Sequence, residues 1–216
     1  MQKRSSFIFI FADSGVSPVI GVILMLLLTL LLAGITVTSV YGDGFSDSLS
    51  KAPMAVIEVE SVEGGVPMPN HYSYGQNYVI LIHKGGDPLQ TASTKIIIAG
   101  EGNAYIGVVG NGNQPMDGNV LIKYDDLTTD RKNSPYASHN PDILDGIWSA
   151  GEKLVLNGRD SVIGNGPTSV HVALNGMTNT SDNYGLRENS VITIKVYDSE
   201  SNKIIAELKH EVTPAQ

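Results

Sequence analysis

The residues of this chain that could do chemistry are few and scattered. His83 and Asp87 share the stretch His83-Lys84-Gly85-Gly86-Asp87-Pro88-Leu89. They could contribute to a metal site, yet one His and one Asp fall short of the four ligands zinc takes. A Gly-Gly-Asp-Pro turn accounts for the same residues without a metal. Asp125, Asp126 and Asp130, followed by Asp142 and Asp145, concentrate acid between Asp125 and Ile147. Hard cations tolerate irregular loops, but no EF-hand spacing appears, so a solvated acidic loop stands beside a calcium site as a reading of that stretch. Asn179-Thr180-Ser181 is the one N-glycosylation sequon, open to modification if it is exposed outside the cell. Cysteine is absent, which removes disulfides, thiolate metal sites and a thiol nucleophile. No Gly-x-Ser-x-Gly elbow, Walker-type Gly-Lys-Ser/Thr or His-Glu-x-x-His occurs. Gly100-Glu101-Gly102 lacks the third glycine of a dinucleotide fingerprint, and the five His stand singly. These residues predict no enzyme, no cofactor, and no catalytic or metal site.

The elements that would have to position such residues are of two kinds. Residues 15–42 read GVSPVIGVILMLLLTLLLAGITVTSVYG, with no charge among them. As a helix the segment would be about 42 Å long at 1.5 Å per residue, and it exceeds the roughly 20 residues that cross a bilayer core. Ser17 suits an N-cap, and Pro18 suits the first helical position, where its missing N–H costs nothing. The run Val22–Leu32 is apolar on every face except at Thr29, so it must be buried all round by lipid or protein. Gly21, Ala33 and Gly34 would let a neighbouring helix come close. Lys3 and Arg4 precede the run and the acidic remainder follows it, which predicts a cytoplasmic N-terminus and an external head. A cleaved secretory signal would need a shorter apolar region, of roughly 7–15 residues. A plain signal anchor remains open on length alone.

The string Gly15-Val16-Ser17-Pro18-Val19-Ile20-Gly21-Val22-Ile23-Leu24-Met25 resembles the N-terminal motif of archaeal type IV pilins. The resemblance covers about thirty residues and implies a class III signal peptide, cut by a membrane prepilin peptidase ahead of the apolar helix, which is then kept. Carried onto this chain, the cut falls between Gly15 and Val16, or one residue earlier between Ser14 and Gly15. Many pilins carry Glu at the fifth mature position. This chain has Ile20 there, as archaeal members commonly do, which implies assembly by apolar packing alone. The residues expected to pack in a filament core are Pro18, Ile20, Gly21, Ile23, Leu24, Leu27, Leu28, Leu31 and Gly34.

Beyond a polar linker, Asp43–Pro53, β-branched runs recur between turn signals. Ala55–Val62, Tyr78–His83, Lys95–Ala99, Ala104–Val109, Val120–Tyr124, Lys153–Leu156, Ser169–Leu174, Val191–Val196 and Lys203–Val212 read as strands. Gly110-Asn111-Gly112, Asp117-Gly118, Asn157-Gly158 and Asn175-Gly176 read as the turns between them. The pattern predicts an α+β chain, an apolar helix over 16–42 followed by an antiparallel β-sandwich or Ig-like head over 54–214, and the resemblance implies a leader over 1–15. Trp148 reads as a core residue, with a solvent-facing binding aromatic as the alternative. The formal charge of −8 argues against a nucleic-acid partner. The resemblance implies a structural subunit of a surface filament serving adhesion. Its partners would be copies of itself, prepilin peptidase, the pilus assembly machinery and, before assembly, the membrane. A monomeric surface protein tethered by the same helix, capturing a sugar, ion or substrate, is the competing expectation.

Overall fold

The computed structural model describes residues 18–41, 51–67, 72–107, 115–162 and 166–215. The chain forms two compact units, Met1–Leu49 and Ser50–Gln216. The proposed cut at Gly15/Val16, the loop Gly110–Gly112 and Val108–Val109 lie outside the described residues.

In the first unit, helix α1 spans Pro18–Tyr41 with no acid in its first turn and no base in its last. Every described side chain from Val19 to Val37 is exposed within the chain's own fold. The segment Val19–Val37 is long and apolar enough to cross a membrane.

The second unit is a mostly antiparallel β-domain. Its strands are β1 (Ala55–Gly64), β2 (Tyr78–Gly86), β3 (Leu89–Gln90), β4 (Thr94–Tyr105), β5 (Pro115–Tyr124), β6 (Ile147–Trp148), β7 (Lys153–Asn157), β8 (Val170–Leu174), β9 (Gly185–Leu186), β10 (Val191–Asp198), β11 (Lys203–Glu211) and β12 (Thr213–Pro214). One sheet has the order β12-β1-β2-β7; a larger one runs β11-β10-β4-β5-β8, with β9 also paired to β4; β3 and β6 form a small third sheet. The β1–β12 pairing is parallel. Alternate residues of both larger sheets supply one continuous core, including Val62, Val79, Leu81 and Leu156 from the first and Ile96, Ile98, Ile122, Ile194 and Val196 from the second. Alternation of this kind is what a sheet with one buried face demands.

Three boundaries differ from the sequence reading, each for a local reason. Lys95–Ala99 and Ala104–Tyr105 are parts of one strand, β4, that runs straight through Gly100 and Gly102. A Cβ on Gly100 would stand 2.6 Å from the Ile192 side chain, and one on Gly102 would strike the Gly185 carbonyl. These glycines admit neighbouring backbone rather than break the strand. Asp117-Gly118 lies inside β5 rather than in a turn, with the Asn175 side chain filling the space a Gly118 Cβ would take. β2 continues past His83 to Gly86, because the turn is made at the positive φ of Gly86. β1 carries register shifts at Val56/Ile57 and Val59/Ser61; its buried positions change phase from Ile57 to Val62 and Gly64. Asn175-Gly176 is a two-residue turn with both residues at positive φ, closed by Leu174 and Met177. This is the chemistry hairpins favour.

Between Asp125 and Ile147 the chain makes no strand. It holds a short helix, Ser134–His139, capped by the Asn133 side chain, and a 3-10 turn, Pro141–Ile143.

Candidate functional site

Two places could carry function: the apolar helix and the polar groups of the head. Between Val19 and Val37 of α1 even the hydroxyls are satisfied within the helix. Thr29 donates to the Leu26 carbonyl at 2.9 Å and Thr36 to that of Ala33 at 2.9 Å, so neither asks anything of its surroundings. Ile20, Ile23, Leu24, Leu27, Leu28 and Leu31 are each at least half exposed. Their spacing of three and four residues places them on one face of the helix, while Val19, Val22, Met25, Leu26, Leu30 and Leu32, also exposed, make the rest of its surface apolar as well. A Cβ on Gly21 or Gly34 would meet nothing within 4 Å. Their small size is not demanded by packing in this chain, and what it permits is the approach of another helix. The side chain of Pro18 lies outside the described residues; its backbone begins the helix.

In the head, the residues singled out for metal chemistry are occupied with one another. His83 is buried, and its Nε2 lies 3.0 Å from the Asp87 carbonyl, with its ring edge-on to Trp148. The Asp87 carboxylate accepts from Met54 N at 3.0 Å, and Asp87 N donates to the Met54 carbonyl at 2.7 Å. The Gly-Gly-Asp-Pro segment therefore staples the entry of β1 to the end of β2. Trp148 is fully buried and donates its indole N–H to the Glu152 carbonyl at 3.1 Å, which leaves no ring face for a ligand. Asp125 pairs with His171 at 3.2 Å; the exposed Asp142 lies on the 3-10 turn, and Asp145 just beyond it accepts from Ile147 N at 2.9 Å. Among the described residues no three His, Asp or Glu gather where one ion could sit. An open depression of about 290 Å³ lies beside Lys51, Pro53, Asp87, Gln90 and Asp198. Its buried acid, Asp198, already caps Ser201 N at 2.8 Å.

The unusual chemistry gathers around Asp126, read from the sequence as part of an acidic loop, and around Lys132 and Asp160, which the sequence reading did not single out. Lys132, its side chain fully buried, donates to Asp126 Oδ1, the Thr128 carbonyl and Ser169 Oγ, each at 2.8 Å. Its ammonium stands 5.0 Å from the centre of the Tyr136 ring. Arg131 reaches the second oxygen of Asp126 at 2.9 Å. Burial pulls the Lys132 ammonium below its ordinary pKa, and the Asp126 carboxylate opposes this. Burial pushes Asp126 up, but the hydrogen bonds from Lys132 and Thr128 and the lysine charge outweigh it and hold the carboxyl low. With all three of its protons accepted, Lys132 remains an ammonium.

Alongside lies a second knot. Asp160 Oδ2 accepts from Tyr124 OH at 2.9 Å and from Asn157 N at 2.7 Å, and Tyr124 OH lies 3.1 Å from Tyr184 OH. Burial pushes Asp160 up to about 7, against the lowering pull of the Asn157 and Tyr124 hydrogen bonds and the Lys132 charge. Burial raises Tyr124 and Tyr184 as well. Perturbed groups of this kind are expected at active sites. Here each faces inward onto a protein partner, and the arrangement ties β5, β7 and the Asp125–Ser134 loop together. Asn77, Asn140 and Asn157 do the same with neutral groups: the Asn77 side chain bridges Gly65 and Leu186, and that of Asn140 takes both sides of Val155. The sequence signal was weak, since an Asp or Asn between strands is read as a turn residue until its burial is known.

Asn179 is exposed after β8, and its carbonyl accepts from Gly107 N at 2.9 Å.

Residues 14–57 match the family described as archaeal type IV pilin, N-terminal. The chain is also 34% identical over 89 residues to an uncharacterized protein of Archaeoglobus fulgidus, a match covering 41% of this chain and 55% of that protein. The chain thus spans about half the length of the curated relative it matches.

Proposed function

From a chain whose N-terminal segment is of the archaeal type IV pilin kind, we propose a subunit of a surface filament. Prepilin peptidase removes the leader at Gly15/Val16, and the helix is retained. It stands first in the membrane, with Lys3 and Arg4 toward the cytoplasm and the head outside. The assembly machinery then moves it from lipid into a core of identical helices. Ile20, Ile23, Leu24, Leu27, Leu28 and Leu31 pack there, with Pro18 at the helix start and Gly21 and Gly34 as points of close approach. The β heads form the outer surface and carry adhesion, and Asn179 is the site for a glycan. The role is structural and requires no cofactor.

The observation that carries this reading is a helix with no polar side. Burying one Leu or Ile side chain is worth about 1.5–3 kcal/mol, and nothing in the chain's own fold buries any of them. Lipid and a bundle of like helices are similarly apolar, so transfer between them costs little and packing can decide. Mass spectrometry of the native protein, with electron microscopy of the cell surface, tests the proposal. The expected result is a mature chain beginning at Val16 or Gly15 within filaments that bind antibody to the head. A mature chain beginning near Val40 would overturn it.

A further inference from the structure

We infer that the head carries its own subunit contact, in which a lysine-edged patch on the larger sheet receives an acid-flanked leucine knob from a second copy. The inference rests on the filament reading for its occupant. The patch is set by strand register. Ile97 of β4 lies directly between Lys195 of β10 and Lys123 of β5. Lys95 stands two residues along β4, and Ala99 two residues the other way. The intervening Ile96 and Ile98, with Ile122 and Ile194, are buried in the core. Ile97 and its lysines therefore point to the outside of the sheet. Directly opposed strand positions are about 5 Å apart, so three ammonium groups surround one apolar residue in a chain of net charge −8. Lys195 pairs with Glu207 at 3.3 Å; Lys95 and Lys123 make no ion pair among the described residues. Like charges gathered in this way destabilise a sheet unless something neutralises them.

The complementary piece is on the same molecule. Leu144 is 56% exposed immediately after the 3-10 turn, with the exposed acids Asp142 and Asp145 on either side of it. The knob is held firmly. Ile143 is buried beneath it, Gly146 N donates to the Ile143 carbonyl at 3.1 Å, and the Gly146 carbonyl accepts from Thr91 N and Oγ at 3.0 and 3.1 Å. A rigid apolar tip loses little entropy on docking. Patch and knob match in kind, an apolar centre with acids against an apolar centre with lysines. Among the described residues of one head, Lys95, Lys123, Asp142 and Asp145 make no ion pair, although Asp145 accepts from Ile147 N at 2.9 Å, and on this inference the two surfaces meet between heads. A contact joining two different surfaces repeats from copy to copy instead of closing on itself, which suits a polymer.

The absence of native cysteine gives a clean test. Full-length protein carrying Ile97→Cys and Leu144→Cys, produced in its native cells and mildly oxidised, should yield a ladder of disulfide-linked multimers that collapses with reductant. Either single variant should yield no ladder. Lys95→Glu with Lys123→Glu added to the cysteine pair should weaken the ladder at least tenfold. No ladder from the paired variant, or equal cross-linking by a single variant, overturns the contact. Filaments seen without the ladder would overturn this contact while sparing the filament reading. A ladder without filaments would do the reverse.

Discussion

The helix and the head spend similar hydrophobic residues in opposite directions. From Val19 to Val37 of α1 the apolar side chains point outward, and the hydroxyls of Thr29 and Thr36 are turned onto the backbone. In the head most large apolar side chains point inward, and the buried charges of Lys132 and Asp160 are tied into hydrogen-bonded knots. The difference teaches where each unit finds its stability. The head supplies its own solvent-free core. The helix has none of its own, and on the proposed reading takes one first from lipid and then from its copies.

Several changes would break or sharpen that contrast. Leu28→Lys should have the largest effect. A lysine at the centre of a membrane helix costs about 2.5–3.5 kcal/mol, and no acid exists in Val16–Gly42 to pair with it. Repeated in every subunit, the charge should abolish filaments while the head still reaches the surface, as imaging and surface labelling would record. Normal filaments from this variant would mean that α1 is not the packing core.

Removing the helix altogether should leave the other side of the contrast untouched. The fragment Met54–Pro214 should give a β-type circular dichroism spectrum and a cooperative melt, and a mainly helical or non-cooperative fragment would contradict a self-sufficient head. Within the head, Lys132→Ala leaves the Asp126 carboxylate without its buried partner. Breaking such a pair costs on the order of 3–5 kcal/mol, with the lower end expected because Arg131 still reaches Asp126. Chemical denaturation would read the loss.

Acidity should act on the second knot in the opposite sense from ordinary acid denaturation. Asp160 is held near 7 by burial in the folded head and returns to the ordinary carboxyl range when unfolded. Between those two values the folded state holds a proton that the unfolded state lacks. Stability should therefore rise as pH falls from about 7 towards 4, by on the order of 2–4 kcal/mol from this group. Below that range Asp126, whose folded pKa is depressed, works against it. Thermal melts at pH 5 and pH 8 should differ in favour of pH 5, and Asp160→Asn should narrow the gap. The smallest effect belongs to Thr29→Val. Its hydroxyl is satisfied within the helix, so filament yield should not change and any stability difference should stay within about 0.5 kcal/mol.

The contrast also marks how far the sequence could be read. Helix α1 and most of the longer strands were legible, because uninterrupted apolarity and two-residue alternation are local patterns. The run through Gly100 and Gly102 was not, since those glycines answer to Ile192 and Gly185, more than eighty positions away. The two-residue strands β3, β6, β9 and β12 carry no pattern of their own and exist because a neighbour offers an edge. For the candidate site, the pilin-like N-terminal motif was visible as a string. The Lys132 and Asp160 knots were not, because nothing local distinguishes a buried Asp from one at a turn. The lysine patch needed the register of three strands before Lys95, Lys123 and Lys195 could be seen as neighbours.

The parallel strand β12 has a consequence for the order of events in the cell. Thr213 Oγ donates to the Val62 carbonyl across 151 positions of sequence at 2.8 Å, and Ala215 N closes on the Gly64 carbonyl at 2.9 Å. The first strand behind the helix is thus completed by residues about 150 positions further along the chain. Pairings so remote in sequence form slowly, and this one has to wait until the whole head has been made. On the filament reading, a head becomes fit for joining a neighbour only once β12 has closed the edge of β1.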